Sequence, residues 1–216
     1  MTRTITHPFL LLLLALAIVV PAHAAGDIEK GKQIFAVCAA CHGQNAEGNA
    51  TLNAPANAGQ DSWYMTRQLK NFKAGIRGAH PDDTFGAQMR PMAMALATDE
   101  QIANVVAYIN SLEPPTPPRT VEGDIALGKQ AYETCIPCHG EHGEGAQSLD
   151  APRLSRQHDW YIVRQLQNFI AGIRGSHPND IYGAQMRIMS QMLESDERIR
   201  AVAAYIATLE YKPGGE

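Results

Sequence analysis

Two stretches of this 216-residue chain read Cys-x-x-Cys-His: Cys38, Cys41 and His42, then Cys135, Cys138 and His139. They account for all four cysteines. On a turn of helix, residues i and i+3 share a face and i+4 lies beside them. Two thiols so placed can bond two neighbouring points of one planar ligand, and the histidine projects toward its centre. This is the pattern of covalent haem attachment, two thioethers to vinyl groups with an imidazole on the iron. Paired cysteines have two other uses. A structural zinc needs four protein ligands, and a histidine locked next to the second cysteine is not zinc spacing. A redox dithiol usually sits in a βαβ setting, which the sequence lacks. Two copies in register point to two covalent c-type haems and to electron transfer.

An iron that only passes electrons takes a second axial ligand. The candidates are Met89 or Met92 in the first half and Met186 or Met189 in the second, with His80 and His177 competing. Both histidines recur in Gly-x-His-Pro, a polar, turn-like setting that faces solvent. Methionine is preferred, and Met/His ligation raises the haem potential. Met94 and Met192 have no counterparts at matching positions and are read as packing. Arg67 and Arg164 recur beside Trp63-Tyr64 and Trp160-Tyr161. They read either as exposed helix charges or as guanidiniums that, like an indole N–H, contact a haem propionate.

The elements that must position these groups are written twice. A shift of 97 residues overlays the chain on itself without a gap, and 46 of the 87 positions from Asp27 to Glu113 are identical. Ala74-Gly75-Ile76-Arg77-Gly78 and Gly86-Ala87-Gln88-Met89-Arg90 recur unchanged. A period this long marks duplication of a whole domain, since solenoid repeats run roughly 20–50 residues. Between the copies, four prolines fall in five positions, Pro114 to Pro118. They cannot continue a helix and favour an extended, semi-rigid spacer. Each unit reads as helical. A short helix over Asp27–Val37 leads into the cysteines, mirrored over Asp124–Thr134. Asp61–Ala74 and Asp99–Leu112 carry apolar residues at helical spacing, with Thr98 an N-cap for the latter. No stretch alternates as a strand does, so the expected class is all-α, with about three main helices around each haem.

Arg3, an unbroken apolar run from Phe9 to Val20 and Ala22-His23-Ala24 form a secretory leader pattern. The run is short of the roughly 20 apolar residues a bilayer span needs. Cleavage after Ala24 is expected, giving an exported protein that is soluble or peripheral to the membrane. The chain divides into a leader over 1–24, a domain over 25–113, a linker over 114–120 and a second domain over 121–216. Without Arg3 the formal charge is 17 − 22 = −5. There is no polybasic tract, which argues against nucleic acid as a partner.

On these residues the chain resembles the dihaem cytochrome c4 family, tandem class I c-type cytochromes. The resemblance rests on the two Cys-x-x-Cys-His-Gly motifs, Pro55 with Gln60, and Pro152 with Gln157. It extends to Tyr64-x-x-Arg67-Gln68-Leu69 leading to Lys73-Ala74-Gly75, to Met89-x-x-Met92 and to Ala107-Tyr108. It implies two haem domains packed face to face in a periplasmic carrier. That carrier would run between a quinol-oxidising complex (a quinol:cytochrome c reductase) and a terminal oxidase. By the same resemblance His42 and His139 are proximal ligands, and the first methionine of each pair, Met89 and Met186, is distal. The carbonyls of Pro55 and Pro152 accept the proximal ring N–H, and Gly31 and Gly128 mark the crossing of first and last helices. The sequence departs from the family in having Asn57 where Leu154 keeps the expected leucine. The stretch from each methionine to the last helix is also one residue longer than the family's pattern. An electron-accepting subunit of a periplasmic dehydrogenase is the alternative. A dihaem peroxidase would ask for more cysteines or a third domain, so no catalytic residue is expected.

Overall fold

The computed structural model describes residues 26–212; the expected leader over 1–24 lies outside them. The first unit has four helices, α1 Ile28–His42, α2 Ser62–Lys73, α3 Thr84–Met94 and α4 Asp99–Asn110. The second has α5 Ile125–Tyr132, α6 Ile136–His139, α7 Asp159–Ile170, α8 Ile181–Gln191 and α9 Asp196–Ile206. Among the described residues there are no strands, only isolated bridges pairing Asn49 with Ala54 and Ala146 with Ala151.

Side-chain caps start most of these helices. Asp27, Asp124 and Ser195 accept backbone N–H groups of the first turn, and Thr98 with Gln101 forms a reciprocal capping box. The helix entering the first motif runs unbroken through both cysteines to His42, whereas its counterpart breaks after Tyr132. Pro137 explains the difference: it stands where the first unit has Ala40. Its ring lacks an N–H and clashes with the carbonyl four residues back, so a new helix starts with the proline in its first turn.

The sequence did not suggest α3 and α8, which carry the methionine pairs. Glycine in both and Pro91 inside α3 argue against helix. Buried Asp83 and Asp180 compensate, each capping the N–H of Gly86 or Gly183.

The core lies where first and last helices cross. A Cβ on Gly31 would stand 2.0 Å from the Asn104 carbonyl oxygen, and one on Gly128 would stand 2.0 Å from that of Ala201. Only glycine permits that approach. Phe35 meets Tyr108 at 5.3 Å between ring centroids, and Tyr132 meets Tyr205 at 5.5 Å. Ile102, Val105, Val106 and Ile109 fill the first interior; Ile199, Val202 and Ile206 fill the second.

The proline-rich segment has no helix and is held at both ends. Pro114 packs beside Gly59, and Arg156 bonds to the Pro115 carbonyl and the Thr116 hydroxyl. Buried Asp159 accepts from the N–H of Thr120, Val121 and Trp160 and from the Thr120 hydroxyl. Burial alone would push its pKa up; these donors outweigh it and hold the carboxyl below the usual range. Asp159→Ala is therefore expected to destabilise the second unit by about 2–3 kcal/mol, the scale of stranding buried donors to a charged acceptor. A lowered carboxyl pKa stabilises above the unfolded value of about 3.9 and loses that contribution as pH falls through the folded one. The variant's deficit in urea midpoint should thus shrink in acid. A deficit equal at pH 7 and pH 2 would assign the loss to packing instead.

The two units face each other about a pseudo-twofold relation. Arg67 of α2 pairs with Asp150, and its Nη2 donates to the Asp150 carbonyl at 2.9 Å. Arg164 of α7, 97 residues on, donates to the Asn53 side chain and carbonyl, both at 2.9 Å. Arg77 bonds to Tyr161 and Gln165 across the interface, and Arg174 bonds to Tyr64 and Gln68. Gln157 holds both the N–H and the carbonyl of Ala56, and Gln60 donates to the Arg153 carbonyl. Burial would push the Tyr161 phenol up, but the guanidinium charges of Arg77 and Arg174 prevail and lower its pKa. Each guanidinium here is fixed by two or more oxygens, so the units hold one mutual orientation.

Candidate haem centres

Each Cys-x-x-Cys-His motif ends its helix, and a glycine then turns the chain back. Gly43 has φ 81° and Gly140 φ 79°, a region open to glycine. Glu47 and Glu144 close these turns by accepting from Asn45 and His142. The bridges at Asn49–Ala54 and Ala146–Ala151 then bring Pro55 and Pro152 over the histidines. His42 Nδ1 lies 2.8 Å from the Pro55 carbonyl oxygen, and His139 Nδ1 lies 2.8 Å from that of Pro152. A carbonyl can only accept, so Nδ1 carries the proton and Nε2 keeps its lone pair. Burial lowers the pKa of both imidazoles, against the opposing carbonyl bond, which keeps them neutral. The Asn57 amide sits 3.0 Å from the same His42 nitrogen. Leu154 takes that place in the second unit and packs in the core, so the two imidazoles differ in their surroundings.

All four thiols are free. Cys38 and Cys135 are half-buried, and burial pushes both thiols up; Cys41 and Cys138 are exposed. On α3 and α8 the two methionines of each pair are one turn apart on one face. Met89 and Met186 are half-buried, while Met92 and Met189 are 37% and 39% exposed. His80 and His177 are half-buried, and each turns Nδ1 back to accept from the backbone N–H of Asp82 or Asn179. Met94 and Met192 are exposed rather than packed. The inward stripe of α3 runs through Gly86 and Ala93, and Met94 lies one residue, about 100°, around the helix from it.

Arg67 and Arg164 lie in the interface. Besides their partners across it, they stack over Tyr182 and Phe85 respectively, each at 4.4 Å. Arg90 and Arg187 escaped the sequence reading. The Nε of each is buried without a partner among the described residues, as is the indole nitrogen of Trp160. Arg90 lies over the turn at Gly75, where a Cβ would stand 3.3 Å from its Nη2. The unchanged recurrence of both pentapeptides was the available signal: they pack on each other.

These donor sets suit a c-type haem. Each unit offers two free thiols one helical turn apart and a neutral imidazole oriented through Nδ1. A thioether stands on a helix whose surface is apolar at Phe85 and Met92, or at Ile181, Tyr182 and Met189. Orphaned Arg and Trp nitrogens add donors for carboxylates.

Comparison with known proteins agrees. The family model described as Cytochrome c matches residues 28–113 and again 125–210. The chain is 36% identical over 208 residues to cytochrome c4 of Azotobacter vinelandii, covering 92% of this chain and 96% of the relative. It is 32% identical over 190 residues to a thiosulfate dehydrogenase electron acceptor of Stutzerimonas stutzeri, covering 83% and 82%. The crystal structure of reduced recombinant cytochrome c4 from Pseudomonas stutzeri superposes with a TM-score of 0.66 at 30% identity, covering 86% of this chain and all of that one. Two tandem all-α cytochrome c domains, each with its Cys-x-x-Cys-His motif, carry two covalently bound c-type haems. The chain belongs to the dihaem cytochrome c4 family.

Proposed function

We propose that this electron-transfer cytochrome is a periplasmic shuttle between a quinol:cytochrome c reductase and a terminal oxidase, and that it catalyses no reaction of its own. The observation that carries the reading is the duplicated donor set. Both units place a buried histidine and a half-buried methionine within one small domain. An iron held by both side chains would pass electrons and offer no position to a substrate.

The residue roles follow from the site. Cys38 with Cys41, and Cys135 with Cys138, tether the haems. His42 and His139 are the proximal ligands. The carbonyls of Pro55 and Pro152 fix their tautomer and ring orientation, which sets ligand basicity. Met89 and Met186, the more buried of each pair, would hold the iron on its other side. The bound haem supplies a one-electron couple. The protein keeps the imidazoles neutral and holds the two units in one orientation. No helix of the described residues is long and apolar enough to cross a membrane. This agrees with a carrier that meets its partners in the periplasm or at the membrane surface.

Docking is expected to be weak, since redox encounters use interfaces under roughly 1,200 Å². Residues 25–113 sum to 7 − 9 = −2 and residues 121–216 to 9 − 13 = −4. Electron transfer to a basic partner should slow as salt rises. The exposed Glu141 changed to Lys should reproduce part of that loss. Glu144 is unsuited to the test because it closes the turn at Gly140.

The relative described as a thiosulfate dehydrogenase electron acceptor supports a second reading, acceptance of electrons from a dehydrogenase. Stopped-flow mixing separates the two. The shuttle reading expects rapid reduction by the quinol:cytochrome c reductase and rapid oxidation by the oxidase. Reduction by a thiosulfate dehydrogenase alone would favour the second reading.

A further inference from the structure

The two arginine crossings are related by the duplication, yet they differ in charge. Arg67 reaches from α2 onto the second unit, where it meets the Asp150 carboxylate and the Tyr182 ring at the start of α8. Arg164 reaches from α7 onto the first unit, where it meets the Asn53 amide and the Phe85 ring of α3. Each guanidinium thus lies on the other unit's methionine-bearing helix. The differing residues change together. The Asp150 carboxylate beside the Tyr182 phenol also pushes that phenol's pKa up. Position 53 has no carboxylate and position 85 no hydroxyl. The second unit's crossing is therefore a bonded ion pair, and the first unit's crossing is a cation bonded only to neutral oxygens, on which the Asp83 carboxylate acts through space.

Both crossings are close to a haem ligand. Asp150 and Asn53 stand two residues before Pro152 and Pro55, whose carbonyls lie 2.8 Å from His139 and His42. With 3.8 Å per residue, each crossing lies within roughly 10–15 Å of its imidazole. Arg67 and Asp150 are 20% and 33% exposed, so solvent screens the pair only in part. Reduction adds one negative charge to a haem, and a nearby uncompensated cation favours it. The halves also differ at Asp61, which accepts from the Arg153 N–H, and at Arg153 itself, but these two charges are opposite in sign.

Resting on the two-haem reading above, we propose that Asp150 is a potential-setting residue: it holds the second unit's haem at a lower potential than a neutral residue would. The reducing electron is thereby biased toward the first unit, where Arg164 has no carboxylate bonded to it. For a unit charge at about 12 Å and an effective dielectric near 20, the effect is about tenfold in the electron-partition constant.

The test is potentiometric titration of the holoprotein with Asp150→Asn and, separately, Asn53→Asp. The haems are assigned by repeating each titration in a chain lacking one Cys pair. Asp150→Asn should raise the second haem's potential by about tenfold in its ferrous-to-ferric ratio, 59 mV for a one-electron couple, and leave the first in place. Asn53→Asp should lower the first haem's potential and leave the second. The near-infrared sulfur-to-iron band should stay intact in both, which a loosened interface would not predict. Potentials unmoved by either substitution, or both haems moved equally, would overturn the proposal. Failure of the two-haem reading shows separately, as a chain with fewer than two covalent haems before any titration.

Discussion

Changing Cys38 and Cys41 together to serine halves the covalent haem: one group, not two, stays with the polypeptide after unfolding and acid extraction. Thioethers are covalent, so unfolding does not release them, and a serine hydroxyl does not replace the thiolate-derived bond. The second unit should keep its haem, because its cysteines pack against their own core. Cys135 joins the cluster of Tyr132, Val202 and Ile206, and Cys38 joins that of Phe35, Val105 and Ile109. The intact mass of the variant reads the result directly. Two haems retained would show that these cysteines are not the attachment points, and none would show that the units mature together.

The second large effect lies at Met89, the proposed distal ligand. Met89→Ala should remove about half of the near-infrared sulfur-to-iron band of the oxidised protein. One potential should fall by on the order of 0.1–0.3 V, within the roughly 0.8 V that axial ligands span. A thioether favours ferrous iron, and its loss favours ferric. Met92→Ala should leave both band and potential nearly unchanged, since Met92 is the more exposed of the pair. If Met92→Ala removes the band and Met89→Ala does not, the ligand assignment is reversed in this unit and, by the duplication, in doubt at Met186.

Much of this was legible in the sequence, because chemistry and repetition left local marks. The Cys-x-x-Cys-His motifs, the 97-residue period and the caps at Asp27 and Thr98 are all short-range features. What escaped was set by packing. The helices that carry the methionines contain glycine, and α3 also contains Pro91; they form because a buried aspartate caps each and a glycine turn supports each. The break before Cys135 turns on Pro137, a residue inside the motif that pattern reading skips. Arg67 and Arg164 are not exposed helix charges, one of their two sequence readings: each is half-buried and bonds across to the other unit. No local pattern encodes a contact across a linker. Its trace was that Arg67-Gln68-Leu69 and the whole of Ala74 to Gly78 survive duplication unchanged.

One chain stores two electrons on two covalently held haems. Coulometric reduction of the pure holoprotein, followed optically and scaled to haem and polypeptide content, tests it most directly. Two electrons should be taken up per chain in two one-electron steps, and carbon monoxide should fail to bind the fully reduced protein. Uptake of a single electron per chain, or ready carbon monoxide binding at either iron, would contradict it.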